Sequence, residues 1–111
     1  MSPLAGVAKG NRFARLVAAR LGTEVRALCG NLDRGDLVHR TWTLEAKCPG
    51  RGKPLNLSQA MTEACQEALH AGTPNRYAVI TRRTGYPLDE AFFTMPLWMA
   101  CQVIHDLETN P

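Results

Sequence analysis

Three side chains within twelve residues, Asp36, Glu45 and Lys47, are of the types that could do chemistry together. Side chains alternate along a strand, so in Trp42-Thr43-Leu44-Glu45-Ala46-Lys47 the acid and the base share one face while Trp42, Leu44 and Ala46 share the other. The short strand-like run Asp36 to His39 precedes it with little room between, which predicts a hairpin turning about Arg40-Thr41. Opposed residue numbers then sum to 81 and Asp36 faces Glu45. Facing residues have Cβ atoms about 5 Å apart, so two carboxylates would converge. A slip of one residue would send Asp36 to the other face. Two adjacent carboxylates repel unless one is protonated or a cation sits between them. Oxygen ligands suit Mg²⁺, with Mn²⁺ as a substitute, and the lack of His or Cys in the cluster argues against zinc. Such an ion lowers the pKa of a bound water, polarises a phosphate oxygen and stabilises a leaving oxygen. Lys47 could orient the attacking water or offset the charge that gathers on the phosphate. The chemistry that fits is phosphodiester hydrolysis. A bare E-x-K is common, and on an amphipathic hairpin it can be no more than a surface ion pair worth less than about 1 kcal/mol. The weight comes from its context.

That context is a set of elements able to position the three. Phe13, Leu16, Val17 and Leu21 recur at helical spacing over Val7 to Leu21, with Gly22 as a stop; Lys9, Arg12, Arg15 and Arg20 occupy the polar side. Thr23 to Cys29 reads as a strand, followed by the loop Gly30 to Gly35 and the hairpin. Cys48 to Pro54 is a basic loop with two prolines and two glycines. Asn56 can cap a second helix with Gln59 three residues on; Ala60, Met61, Ala64, Cys65, Ala68 and Leu69 mark its buried side up to Gly72. A strand over Arg76 to Thr81, a second basic loop Arg82 to Pro87 and a strand over Ala91 to Met95 follow. Pro96 opens a last helix through Trp98, Cys101, Ile104 and Leu107. The order predicts an α/β (α+β) fold, a mixed sheet with helices packed on it, in one domain spanning 1–111. Trp98, Met99 and Phe92 or Phe93 read as core, or as an apolar strip that seals a dimer.

Composition narrows the classes further. At 111 residues, 45% hydrophobic and 21% charged, the chain supports one core and describes a soluble, cytoplasmic protein. Its longest uncharged stretch, Ala91 to His105, is broken by Pro96 and too short for a membrane span. Cys29, Cys48, Cys65 and Cys101 form no C-x-x-C pair and read as small buried thiols. Net charge is +3, but residues 1–53 carry ten Lys/Arg against four Asp/Glu, and residues 54–111 carry three against six. A cationic half is what a surface facing a polyanion requires, although a solvated basic face has the same composition.

Gly35-Asp36-Leu37, then Leu44-Glu45-Ala46-Lys47, then a helix, then Tyr77 to Arg83, resembles the PD-(D/E)XK nuclease superfamily, and within it the small Holliday-junction-resolvase-like proteins common in bacteriophages. The resemblance runs from about Lys9 to Leu107. It implies a restriction-endonuclease-like αβββαβ core with a C-terminal helix. It further implies metal ligation by Asp36, Glu45 and the carbonyl of Ala46, with Lys47 as the catalytic lysine and Gln59 supporting the site. Two positions depart from the pattern: Gly35 stands where the superfamily's name has Pro, and Ala14 where many relatives place a Glu on the first helix. A second metal would then depend on Asp33 or bind weakly.

The resemblance implies a structure-selective, Mg²⁺-dependent DNA endonuclease, most simply one that resolves four-way junctions in the host cytoplasm of a phage-encoded protein. The alternatives are a relative that cuts flaps, ends or duplex DNA, and a catalytically weak DNA-binding module of the same fold. Lys9, Arg12, Arg15, Arg34, Arg51, Lys53, Arg82 and Arg83 are the expected phosphate contacts, with Gln59 beside them. Because a four-way junction has two-fold symmetry, a homodimer is expected.

Overall fold

The computed structural model describes residues 4–25, 37–38, 41–50 and 54–109. Asp36, the loop before it and the segment 51–53 lie outside them, and Lys9 is placed in its helix by backbone alone. In chain order the elements are α1 (Leu4–Leu21), β1 (Glu24–Val25), β2 (Leu37–Val38), β3 (Thr43–Lys47), α2 (Leu57–Ala71), β4 (Tyr77–Thr81), a 3-10 turn (Leu88–Glu90), β5 (Phe92–Thr94) and α3 (Leu97–Thr109). Among the described residues no helix is long and apolar enough to cross a membrane.

The strands form one mixed sheet in sequence order, β1 and β2 contributing only two residues each. The pairs β1–β2, β2–β3 and β4–β5 are antiparallel; β3 and β4 are parallel, joined by α2 as a crossover. In the hairpin Leu37 pairs with Leu44 and Val38 with Thr43, the register expected from the sequence. Asp36 itself is outside the described residues.

The two faces of the sheet bury different chemistry. On one, Leu44, Ala46, Ala78 and Ile80 pack with Phe13, Ala14, Val17 and Ala18 of α1. On the other, Tyr77 and Val79 pack with Ala60, Ala64 and Ala68 of α2 and with Met99 of α3. β3 has a neighbouring strand on each side and a helix on each face, so Thr43 to Ala46 are all buried, the polar Thr43 and Glu45 included.

Local signals fix α2 sharply. Asn56 Oδ1 accepts the Gln59 backbone N–H at 3.0 Å, and Gly72 closes the helix at φ 82°, donating to Ala68 O. That left-handed conformation is open to glycine at no steric cost.

Two expectations are corrected. Met99 is core, but Trp98, Phe92 and Phe93 are exposed. Along α3 the apolar residues that mark the helix point outward: Ile104 and Leu107 are exposed, and so is Cys101, expected to be a buried thiol. The spacing identified an apolar stripe correctly; periodicity alone does not say what covers it.

Candidate functional site at the end of the parallel strands

α2 can lie close against the sheet because its inner face is a ladder of alanines, Ala60, Ala64 and Ala68, each essentially buried. This close approach brings a flanking side chain of α2 to the end of β3. Lys47 Nζ lies 3.6 Å from Glu45 Oε1 and 3.6 Å from Glu63 Oε2. Glu63 Oε1 in turn accepts Gln59 Nε2 at 3.4 Å. The described cluster is therefore Glu45, Lys47, Glu63 and Gln59, on the α2 face at the carboxyl end of β3.

Its electrostatics are unusual for a strand interior. Glu45 is 6% exposed, and an ionised carboxylate with so little water needs nearby positive charge or donors. Lys47 supplies charge but shares it with Glu63, so two carboxylates face one ammonium. Their ion pairs are longer than hydrogen bonds, and Glu63 keeps about half of its side chain in solvent. The assembled donors are hard oxygens, the class that Mg²⁺ and Mn²⁺ take. Mg²⁺ is commonly held by one or two carboxylates with retained waters, so Glu45 with a single further acid fits it. Among the described residues, no group of three or more His, Cys, Asp or Glu is arranged to hold a metal.

The parallel strands β3 and β4 run out at Lys47 and Thr81 side by side. In open α/β sheets ligands bind beyond the carboxyl ends of strands, where loops gather. Here the described loop residues are 48–50, 54–56 and Arg82 to Pro87. The Arg82 N–H donates to Lys47 O at 3.0 Å, but its Nη1 lies 3.7 Å from Cys48 Sγ, which packs on the α1 side, so the exposed guanidinium turns away from the cluster. At the other end of β3, Thr43 is tied to Arg76 O by its N–H at 3.0 Å and to Thr73 by a 2.7 Å hydroxyl contact. These bonds set the position of β3 against β4.

The remaining expected contacts are distributed differently. Arg12 and Arg15 are exposed on α1, which covers the opposite face. Arg83 is held by its own loop and the turn and strand after it, 3.7 Å from the centre of the Tyr86 ring, 4.5 Å from that of Phe92, and paired with Glu90 at 3.7 Å. Arg34, Arg51 and Lys53 lie outside the described residues. Ala14 is buried against the far face of the sheet from Glu45. Sequence reasoning missed Glu63. The signal was present, since Glu63 follows Gln59 by one helical turn, but its meaning depends on how closely α2 approaches β3.

A groove of about 260 Å³ lined by Val17, Leu21, Ile80, Leu88, Ala91 and Phe93 lies on the α1 face, away from the cluster. No family model matches the chain, and comparison with curated proteins and with solved structures finds no similar protein.

Proposed function

We propose that the chain is a metal-dependent DNA endonuclease of the PD-(D/E)XK type, with Asp36, Glu45 and Lys47 at its centre and a four-way junction as preferred substrate. The observation that carries this reading is the burial of Glu45 beside Lys47 at the end of a parallel strand pair. A strand that needed only stability would place an apolar residue there, because a buried ion pair seldom outweighs the loss of its hydration. The proposal requires Asp36, the residue before the Leu37–Leu44 pair, to stand opposite Glu45.

Asp36, Glu45 and the carbonyl of Ala46 would hold Mg²⁺, which supplies Lewis acidity and a more acidic bound water. Lys47 places its ammonium where a phosphate oxygen would gather charge and can hold the attacking water by hydrogen bonding. Gln59 and Glu63 restrict the position of that ammonium from the helix side. Arg82, exposed in the loop after β4, offers a phosphate contact, which carries no base information. Phosphate recognition of this kind predicts a steep loss of DNA binding with salt.

The test is nicking of a four-way junction in Mg²⁺, beside linear duplex of the same sequence. Cutting of the junction that disappears in Asp36→Asn, Glu45→Gln and Lys47→Ala is the expected result. Cutting that persists in all three would overturn the site. Equal cutting of linear duplex would replace the junction by a broader substrate class, and tight junction binding without cleavage in Mg²⁺ or Mn²⁺ would leave a silent binding module.

A further inference from the structure

After β4 the chain returns to the sheet through a turn that sets an aromatic residue beside an arginine. The Tyr86 N–H donates to Arg83 O at 3.1 Å, and Gly85 between them takes φ 84°, a conformation that glycine adopts without strain at the third position of such a turn. Pro87 and the 3-10 turn then lead into β5, whose first residue is Phe92. The Arg83 guanidinium consequently lies over two rings at once, that of Tyr86 and that of Phe92. Tyr86 and Phe92 are each 54% exposed, so burial does not account for either ring.

Two features separate this group from a plain basic contact. The first is charge: Glu90 Oε2 stands 3.7 Å from Arg83 Nη1, so the guanidinium already has a counterion within the protein. What the group offers to water is ring surface more than cation. The second is placement. Lys47 pairs with Thr81, and Thr81 pairs with Phe92. Paired residues project from the same face of a sheet, so Phe92 stands in the row of Lys47, on the α2 face and two strands away. At about 4.8 Å per strand the separation is about 10 Å, or roughly three steps of a stacked nucleic-acid strand at about 3.4 Å each.

We propose that Tyr86 and Phe92, with Arg83 against both rings, are a stacking platform for an unpaired nucleobase of the DNA held at the Glu45–Lys47 cluster. The inference rests on the nuclease reading for its ligand. Every base has a π face, so aromatic rings take unpaired bases whatever their sequence, whereas a base inside a continuous duplex has both faces occupied by its neighbours. A platform whose cation is countered within the protein binds that uncharged face and not phosphate. Its share of the affinity is therefore independent of salt, unlike that of phosphate contacts. The substrate class narrows to DNA with an unstacked nucleotide within roughly three positions of the phosphate to be cut.

The test titrates the full chain into a single-stranded oligonucleotide and into a duplex of the same sequence, each carrying 2-aminopurine, a base whose fluorescence falls when it stacks. The expected result is tighter binding of the single strand, with quenching. Tyr86→Ala and Phe92→Ala should each weaken that binding by on the order of tenfold and relieve the quenching, leaving duplex affinity and the salt slope unchanged. Tyr86→Phe and Phe92→Tyr should retain both signals. All four changes fall on exposed positions, and thermal melting checks that the variants fold. Unchanged binding and quenching in both alanine variants would overturn the proposal, as would equal losses on single strand and duplex, an altered salt slope, or no binding of either oligonucleotide. Junction cleavage separates the two readings. Nicking in Mg²⁺ with no dependence on the rings keeps the nuclease and removes the platform; ring-dependent binding with no cleavage in Mg²⁺ or Mn²⁺ keeps the platform and removes the nuclease.

Discussion

The two ends of β4 present opposite departures from the ordinary rule of apolar inside and polar outside. At its carboxyl end, beside Lys47, a carboxylate is buried on a strand interior. At its amino end, beside Arg76, a helix carries leucine and isoleucine in water. Either departure costs stability, the first through lost hydration of charge and the second through exposed apolar area. Such costs are expected where side chains are kept for something outside the fold itself. The polar end gathers two acids about an ammonium; the apolar end leaves one side of a helix exposed.

Mutations should therefore separate the two regions by which property they remove. The largest effect is expected at the polar end: Glu45→Gln should lower Mg²⁺-dependent cleavage by about 10³-fold while thermal melting shows a folded protein, in line with losses seen when one group that stabilises a transition state is removed. At the apolar end Met99→Ala should do the reverse. It empties a fully buried site and should cost about 2–5 kcal/mol in denaturant unfolding, loosening α3, without touching the chemical step at low temperature. A smaller loss, about 1 kcal/mol, is expected for Asn56→Ala, which removes the cap that starts α2. Smallest in stability is Glu63→Gln, under about 1 kcal/mol because the pair is half exposed, yet it should shift the pH profile of cleavage by releasing Lys47. If Glu63→Gln left that profile unchanged, the carboxylate would be a bystander.

Tyr77, the first residue of β4, gives a pH test. Burial, and then its contact with Cys65, pushes its hydroxyl up to about 12 from an ordinary 10. Its folded pKa lies above its unfolded one, so its contribution to stability is complete below pH 10 and is lost as pH rises toward 12. Unfolding followed over that window should show falling stability in the wild type and a flatter dependence in Tyr77→Phe.

Much of this architecture was legible in the sequence for local reasons. Asn56, Gln59 and Gly72 mark helix ends by their own hydrogen bonding and backbone freedom, and the alternation in Trp42 to Lys47 fixes which residues share a face. The hairpin register followed from its short turn. What escaped were the facts that depend on distance between elements. Glu63 joins the cluster only because three alanines let α2 settle close to β3. The outward face of α3 follows from Met99 and Arg76 holding its other side, a choice between two sides that the apolar repeat alone leaves open.

The most direct measurement is a crystal structure with Mn²⁺ soaked in, read by anomalous scattering. The expected result is an ion held by the carboxylates of Asp36 and Glu45, with the ammonium of Lys47 nearby. An Asp36 turned to the α1 face, or no ion at Glu45 under saturating Mn²⁺, would contradict it.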